Sequence, residues 1–168
     1  GGSRAEYDTW HDAMPREDYL DFTRRWLDAC RASLRPGGAM WVNIPDDTAA
    51  EIVVHLKRPS SAAGRDLPVL QMVNWCVWHY RFGQNTKQRF INSKVHALHF
   101  VKAGKPYIWR PERVLEASDR TTTYFDPRTL SKKDGMPAGK RVPMDVWYGP
   151  YWGRIQGNNK ERRAYHDN

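Results

Sequence analysis

Flat aromatic rings interleaved with fixed positive charge are the groups in this sequence best suited to act on a partner. Trp78 and Tyr80 stand just ahead of Phe82 and Phe90, and among them lie Arg81, Lys87, Arg89 and Lys94. Cationic side chains neutralise phosphates and aromatic faces stack on bases, so the combination suits a nucleic acid better than a small neutral metabolite. The bland alternative is a solvated basic face over an aromatic core. Trp75 and Trp78 are three positions apart on an apolar run, so on a strand one faces each side of the sheet. One of them reads as core. The other, with Tyr80, is a candidate platform for a base.

Other chemistries find less support in the residue types and spacings. His96 and His99 are also three apart, which places them on opposite faces of a strand and argues against a shared metal ion. His79 has no carboxylate neighbour in sequence, and Ser93 lies in no recognisable nucleophile motif. Neither common Gly-rich phosphate loop occurs, and Gly37-Gly38 is explained by a helix ending and a strand beginning. The two cysteines, Cys30 and Cys76, both fall in apolar segments, which fits a reducing compartment better than a disulfide framework or a cysteine zinc site.

Several elements must position these groups. Residues 69–80 and 95–102 are apolar runs separated by a polar, basic turn with Gly83, Gln84 and Asn85, the pattern of a long hairpin. Ahead of them, Tyr19, Leu20, Trp26, Leu27, Cys30 and Leu34 recur at helical spacing, with Asp21, Arg24, Arg25, Asp28 and Arg31 opposite. Pro15 suits the first helical position, and Pro36-Gly37-Gly38 ends the run. Residues 39–44 are almost wholly apolar, as in a strand buried on both faces. Pro45 closes it, and Asp46 or Asp47 is placed to cap a helix over residues 48–57. Residues 59–64 read as a loop. Beyond residue 104 the apolar periodicity fades until residues 142–147 resume it. The chain of 168 residues suffices for one domain of α/β type, and no repeat, signal peptide or membrane span is visible. Its net charge of +8 is uneven: residues 1–70 hold 9 basic against 11 acidic groups, and residues 71–168 hold 18 against 8. The second part therefore carries all the excess, a prior for a polyanionic partner.

The order of motifs resembles the amino-group DNA methyltransferases, which modify adenine N6 or cytosine N4. The residues that carry the likeness are Tyr7-Asp-Thr-Trp10, Tyr19-Leu-Asp-Phe22 with Trp26-Leu27, Leu34-Arg-Pro-Gly-Gly38, Trp78-His-Tyr80, Arg89-Phe-Ile-Asn-Ser-Lys94 and His96-Ala-Leu-His-Phe-Val-Lys102. Later come Asp119-Arg120, Tyr124-Phe-Asp126-Pro-Arg128, Gly139-Lys-Arg-Val-Pro143, Asp145-Val-Trp147 and Gly157-Asn-Asn-Lys-Glu-Arg162 with Tyr165-His166. Together they span nearly the whole chain. An Asp-Pro-Pro-Tyr-like catalytic loop is expected just before Gly1, and a Gly-rich cofactor loop beyond Asn168. On the resemblance this is the central piece of a circularly permuted enzyme, inactive alone. Val95 stands where many relatives carry Glu, which marks a variant branch.

The resemblance implies a Rossmann-like mixed sheet with an antiparallel hairpin at its edge. Residues 1–103 would be part of the core, residues 104–141 an irregular target-recognition insertion, and residues 142–168 a return to the core. It implies S-adenosylmethionine as cofactor, with His166 and Asn168 as weak candidates to touch it, and no metal. Double-stranded DNA would be the partner, with a companion restriction enzyme possible, in the cytoplasm of a bacterium or as a phage product. Arg81, Lys87, Arg89 and Lys94, with Arg110, Arg120, Arg128, Lys132, Lys133, Lys140 and Arg141, would reach phosphates or base edges. Trp78 or Tyr80 would hold a flipped base. A binding module without catalysis, or a degenerate partner of an active subunit, is the alternative.

Overall fold

Helix α1 (Arg16–Ser33) starts after Pro15, whose fixed φ of −54° and extended ψ make it the residue before the first turn. Sequence placed that proline one position later, inside the helix. Glu17 and Asp18 occupy the first turn and Arg31 the last, each favourable to the helix dipole. Pro36 restricts the residue before it, and Gly37 takes a φ of 75°, so the helix cannot continue. Leu20, Thr23, Leu27 and Arg31 form the buried stripe. Trp26 and Cys30, expected on that stripe, are exposed, and Arg31, expected in solvent, is fully buried. Its guanidinium donates from Nη1 to the Arg58 carbonyl at 3.3 Å and approaches Asp28 at 2.9 Å, while Asp28 also lies 2.7 Å from His55 Nε2. A long stem and a paired charge let an arginine occupy a core position that hydrophobic periodicity assigns to apolar residues.

The computed structural model describes residues 14–62, 64–80, 86–129 and 137–148. After α1 come β1 (Ala39–Ile44), α2 (Asp46–Leu56), β2 (Ser60–Ala62), β3 (Arg65–Leu67), β4 (Leu70–His79) and β5 (Lys94–Lys102). Then follow β6 (Glu116–Ala117), the single-turn α3 (Asp119–Thr122), β7 (Lys140–Arg141) and β8 (Val146–Tyr148), with 3-10 turns at Pro111–Arg113 and Pro127–Thr129. Helix α2 begins at Asp46 itself, so Asp46 and Asp47 lie in its first turn and neither acts as the cap. The segment read as a loop after Pro59 is a small antiparallel hairpin of β2 and β3.

The main sheet runs in the order β1-β5-β4-β8. Strand β5 is antiparallel to both β1 and β4, and β8 is parallel to β4. The predicted hairpin is therefore present as β4 and β5, but it holds the two central places. Its expected edge position is taken by β8, which overlaps the end of the apolar stretch over residues 142–147 and whose pairing with β4 the local pattern does not reveal. The result is a mixed α/β architecture. Among the described residues no helix is long and apolar enough to cross a membrane.

The pleat sorts the side chains. Val42, Ile44, Leu98, Phe100 and Leu70 face α1 and α2, meeting Leu27, Ala49, Ile52 and Leu56 in one core. Burying each such large side chain contributes about 1.5–3 kcal/mol. The alternate positions of β1 do not share this burial: Trp41 is 51% exposed. The strand expected to be covered on both faces is covered on one, because both long helices pack on the same side. Among the described residues of the segment 104–141, short regular elements occur. Strands β6 and β7 pair there, and Arg141 bonds Glu116 at 3.0 Å and Asp119 at 2.9 Å.

Two glycines test how tightly this framework is built. Gly37 (φ 75°) and Gly64 (φ 72°) share the left-handed conformation, but a Cβ on Gly37 would sit 2.7 Å from the Pro106 carbonyl oxygen, whereas one on Gly64 would meet nothing within 4 Å. Gly64→Ala is expected to cost about 1 kcal/mol from backbone strain alone. Gly37→Ala should cost clearly more, and equal shifts in denaturant midpoint would mean that the crossing of residues 105 and 106 yields freely.

Candidate nucleic-acid interface

On the face of the sheet away from α1 and α2, the register brings Trp41, His99 and Asn74 into one row and places Trp78 beside Val95 and Trp147. Trp41, Trp78 and Trp147 are 51%, 47% and 36% exposed. Three indoles thus share one open face. Trp75 turns to the opposite side, where it packs against the core and donates from Nε1 to His96 Nδ1 at 2.8 Å. The two tryptophans separate as their spacing requires, and Trp78 is the one with accessible ring surface. Tyr80 lies just past the end of β4, half-buried, with its N–H bonded to the Ser93 carbonyl at 2.8 Å.

His96 and His99 also lie on opposite faces. The Trp75 bond to Nδ1 of His96 puts the proton of the neutral ring on Nε2. Burial lowers the pKa of His96, and nearby Lys94 lowers it further against the opposing pull of Asp46. Burial alone lowers that of His99, which is stacked on Trp41 at 4.2 Å with the rings 2° from parallel. Lys94 at the start of β5 donates to Asp46 at 2.7 Å and holds that carboxyl below its usual range. This contact ties the first turn of α2 to the exit of the basic connection between β4 and β5.

The cations predicted to face DNA divide by their present partners. Lys94 is engaged by Asp46, Arg128 by Asp126, and Arg141 by Glu116 and Asp119. The Arg128 guanidinium holds Asp126 down to about 2. Lys87, Arg89, Arg110, Arg120 and Lys140 are exposed. Arg81, Lys132, Lys133, His166 and Asn168 lie outside the described residues, so neither candidate cofactor contact is placed. The aromatic groups that sequence reasoning missed are Trp41, Tyr107 and Trp147. Only the tertiary fold, which joins residues far apart in the chain, brings their rings together around His99 and Trp41.

Comparison with known proteins adds an independent line. A DNA methylase family profile of the N6/N4 type matches residues 2–168. The chain is also similar to the type II methyltransferase M.BamHI of Bacillus amyloliquefaciens, 28% identical over 97 residues that make up 57% of this chain. The matched part spans 20% of that relative's length.

The buried histidines make a pH dependence. Each has a folded pKa below its unfolded value, so the stability linked to the neutral ring is fully present above about pH 6.5 and is lost as pH falls through the folded pKa. Asp46 acts lower, its contribution disappearing as pH falls from about 3.8 through its depressed folded value. Denaturant unfolding between pH 7.5 and 5 should therefore isolate the histidines. His99→Phe, which keeps a ring against Trp41, is expected to reduce the slope in that range. An unchanged slope in this variant and in His96→Gln would assign the dependence to other groups.

Proposed function

Because the chain belongs to the N6/N4 DNA methylase family, we propose that it supplies the DNA-facing part of an enzyme that methylates adenine N6 or cytosine N4 on a base drawn out of the duplex. The observation that carries this reading is the half-exposed Trp78 ring, on the open face of the sheet at the end of a strand that leads into a basic connection. An exocyclic amine inside a base pair is out of reach, so the base must leave the stack and be held elsewhere. Trp78 offers the apolar ring for that, with Tyr80 as its neighbour along the chain. S-adenosylmethionine, when bound, would supply the methyl group.

The remaining work belongs to binding and positioning. Lys87 and Arg89 lie between the two hairpin strands, and Arg110, Arg120 and Lys140 lie in the following segment. Exposed cations there would fix the phosphate backbone while the base is turned out. Holding the base in line with the methyl donor then supplies much of the rate, since orientation replaces an encounter. The ion-paired Lys94, Arg128 and Arg141 serve this role less directly, by bracing the segments that carry the exposed cations.

Salt titration separates these two groups of cations. Duplex affinity should fall steeply with salt, each phosphate contact contributing about −0.9 to the log–log slope. Lys87→Ala or Lys140→Ala is expected to reduce the slope by about that amount without changing the melting temperature. Arg141→Ala should chiefly lower stability. A flat salt dependence would make the basic residues a solvated face.

Base stacking is tested with extrudable targets. A base opposite a mismatch or an abasic site leaves the stack more easily, so the chain should prefer such DNA. Trp78→Ala is expected to remove about 1–3 kcal/mol of the stacking contact and with it the preference, leaving binding to matched duplex nearly unchanged. Tyr80→Ala serves as the comparison. Early melting of both variants, or an intact preference in both, overturns the assignment.

A further inference from the structure

Between β5 and β8 the chain leaves the sheet, carries the exposed cations Arg110, Arg120 and Lys140, and comes back. Its two points of attachment meet at one cluster of rings. At the departing end Gly104 turns with φ 109° beside Pro36, and the bare α-carbon of Gly37 admits the Pro106 carbonyl oxygen. Tyr107 then sets its edge against His99, with centroids 5.8 Å apart and planes at 86°. At the returning end the Asp145 carbonyl accepts from the Val77 N–H at 2.7 Å, and β8 pairs with β4 over three residues. There the Trp147 ring lies 5.9 Å from Trp41, which is itself stacked on His99. The series Tyr107, His99, Trp41, Trp147 therefore runs from one attachment to the other.

His99 is only 5% exposed although neither long helix covers its face of the sheet. Trp41 from β1 stacks on it and Tyr107 from the departing attachment meets it edge to face, while Trp147 from the returning attachment lies against Trp41. We propose that the Trp41–His99 stack is a positioning centre that holds both ends of this basic segment to the sheet, so that the DNA contacts of the segment depend on residues that touch no DNA. The inference rests on the DNA-binding reading above for its second half only. The three-residue pairing of β8 is too short to set the geometry alone, since brief strand pairings are marginal without packed side chains. Trp41 suits the role because its ring is half in solvent, outside the helix-side core, so replacing it leaves the buried framework intact.

The test uses the full chain as Trp41→Leu and Trp41→Phe. Leucine keeps apolar bulk but has no flat face, and phenylalanine restores one. Melting, amide hydrogen exchange and affinity for a short mixed-sequence duplex are measured on each. In Trp41→Leu, exchange at the Val77 N–H and along β8 should rise about two- to tenfold, the loss expected of one aromatic pair, while exchange in β1 and β5 stays as in the wild type. Duplex affinity should fall by a comparable factor, and Trp41→Phe should recover both. Unchanged exchange in Trp41→Leu overturns the clamp whatever the DNA result. Faster exchange with unchanged affinity leaves the clamp standing and overturns the reading of this segment as the part that contacts DNA. Early melting of both variants overturns the positioning role by making Trp41 a core residue.

Discussion

Strand β5 is the constraint on which the rest depends. It is hydrogen-bonded on both sides, to β1 and to β4, and its side chains alternate between two different environments. Leu98 and Phe100 fill the space beneath α1 and α2, while His99 between them enters the ring cluster on the other face. A slip of one residue would exchange the two sets, driving an imidazole into the aliphatic core and exposing a phenyl ring. Register in this strand is therefore fixed by chemistry that differs between its faces, and everything attached to either face inherits that fixation.

The separation also divides labour. The helix side is mainly apolar, with Arg31 and His96 as buried polar exceptions, and it supplies stability. The other side presents three partly exposed indoles and lies where the basic connection and the later segment meet the sheet. Such a division lets the residues of the open face vary without disturbing the helix-side core, because no side chain belongs to both. The bulge in β4 between Met72 and Asn74 is part of this arrangement. It re-phases the strand so that Trp75 turns to the helices and Trp78 to the open face, each in step with its β5 partner.

Much of this was legible in the sequence, and the exceptions share a cause. Period-two and helical patterns located α1, β1, α2 and the β4–β5 hairpin, because local apolar spacing reports local geometry. The hairpin's central place escaped notice, since the strand that β8 pairs with lies far away in the chain. Arg31 was assigned to solvent because residue type, not pairing, drives a periodicity argument. Trp41 and His99 looked like interior residues of apolar strands, and only the tertiary fold brings their rings to Trp147 and Tyr107. Among the cations, sequence supplied the basic excess of the second part but could not tell Lys140, which is exposed, from Arg141 beside it, which two carboxylates hold.

The Arg31 site bears on how such a chain can drift over time. Its guanidinium is fully buried, its Nε has no hydrogen-bond partner among the described residues, and it is balanced by Asp28, which His55 shares from α2. Losing the carboxylate alone would strand a positive charge in the interior, and losing the arginine alone would leave Asp28, mostly buried, with His55 as its remaining partner. Neither single change is easily tolerated, yet a joint replacement by well-packed apolar residues would cost little. Positions 28, 31 and 55 should therefore be inherited together among homologues, either all polar or all apolar, recording the contact between the two helices as a correlation between distant columns.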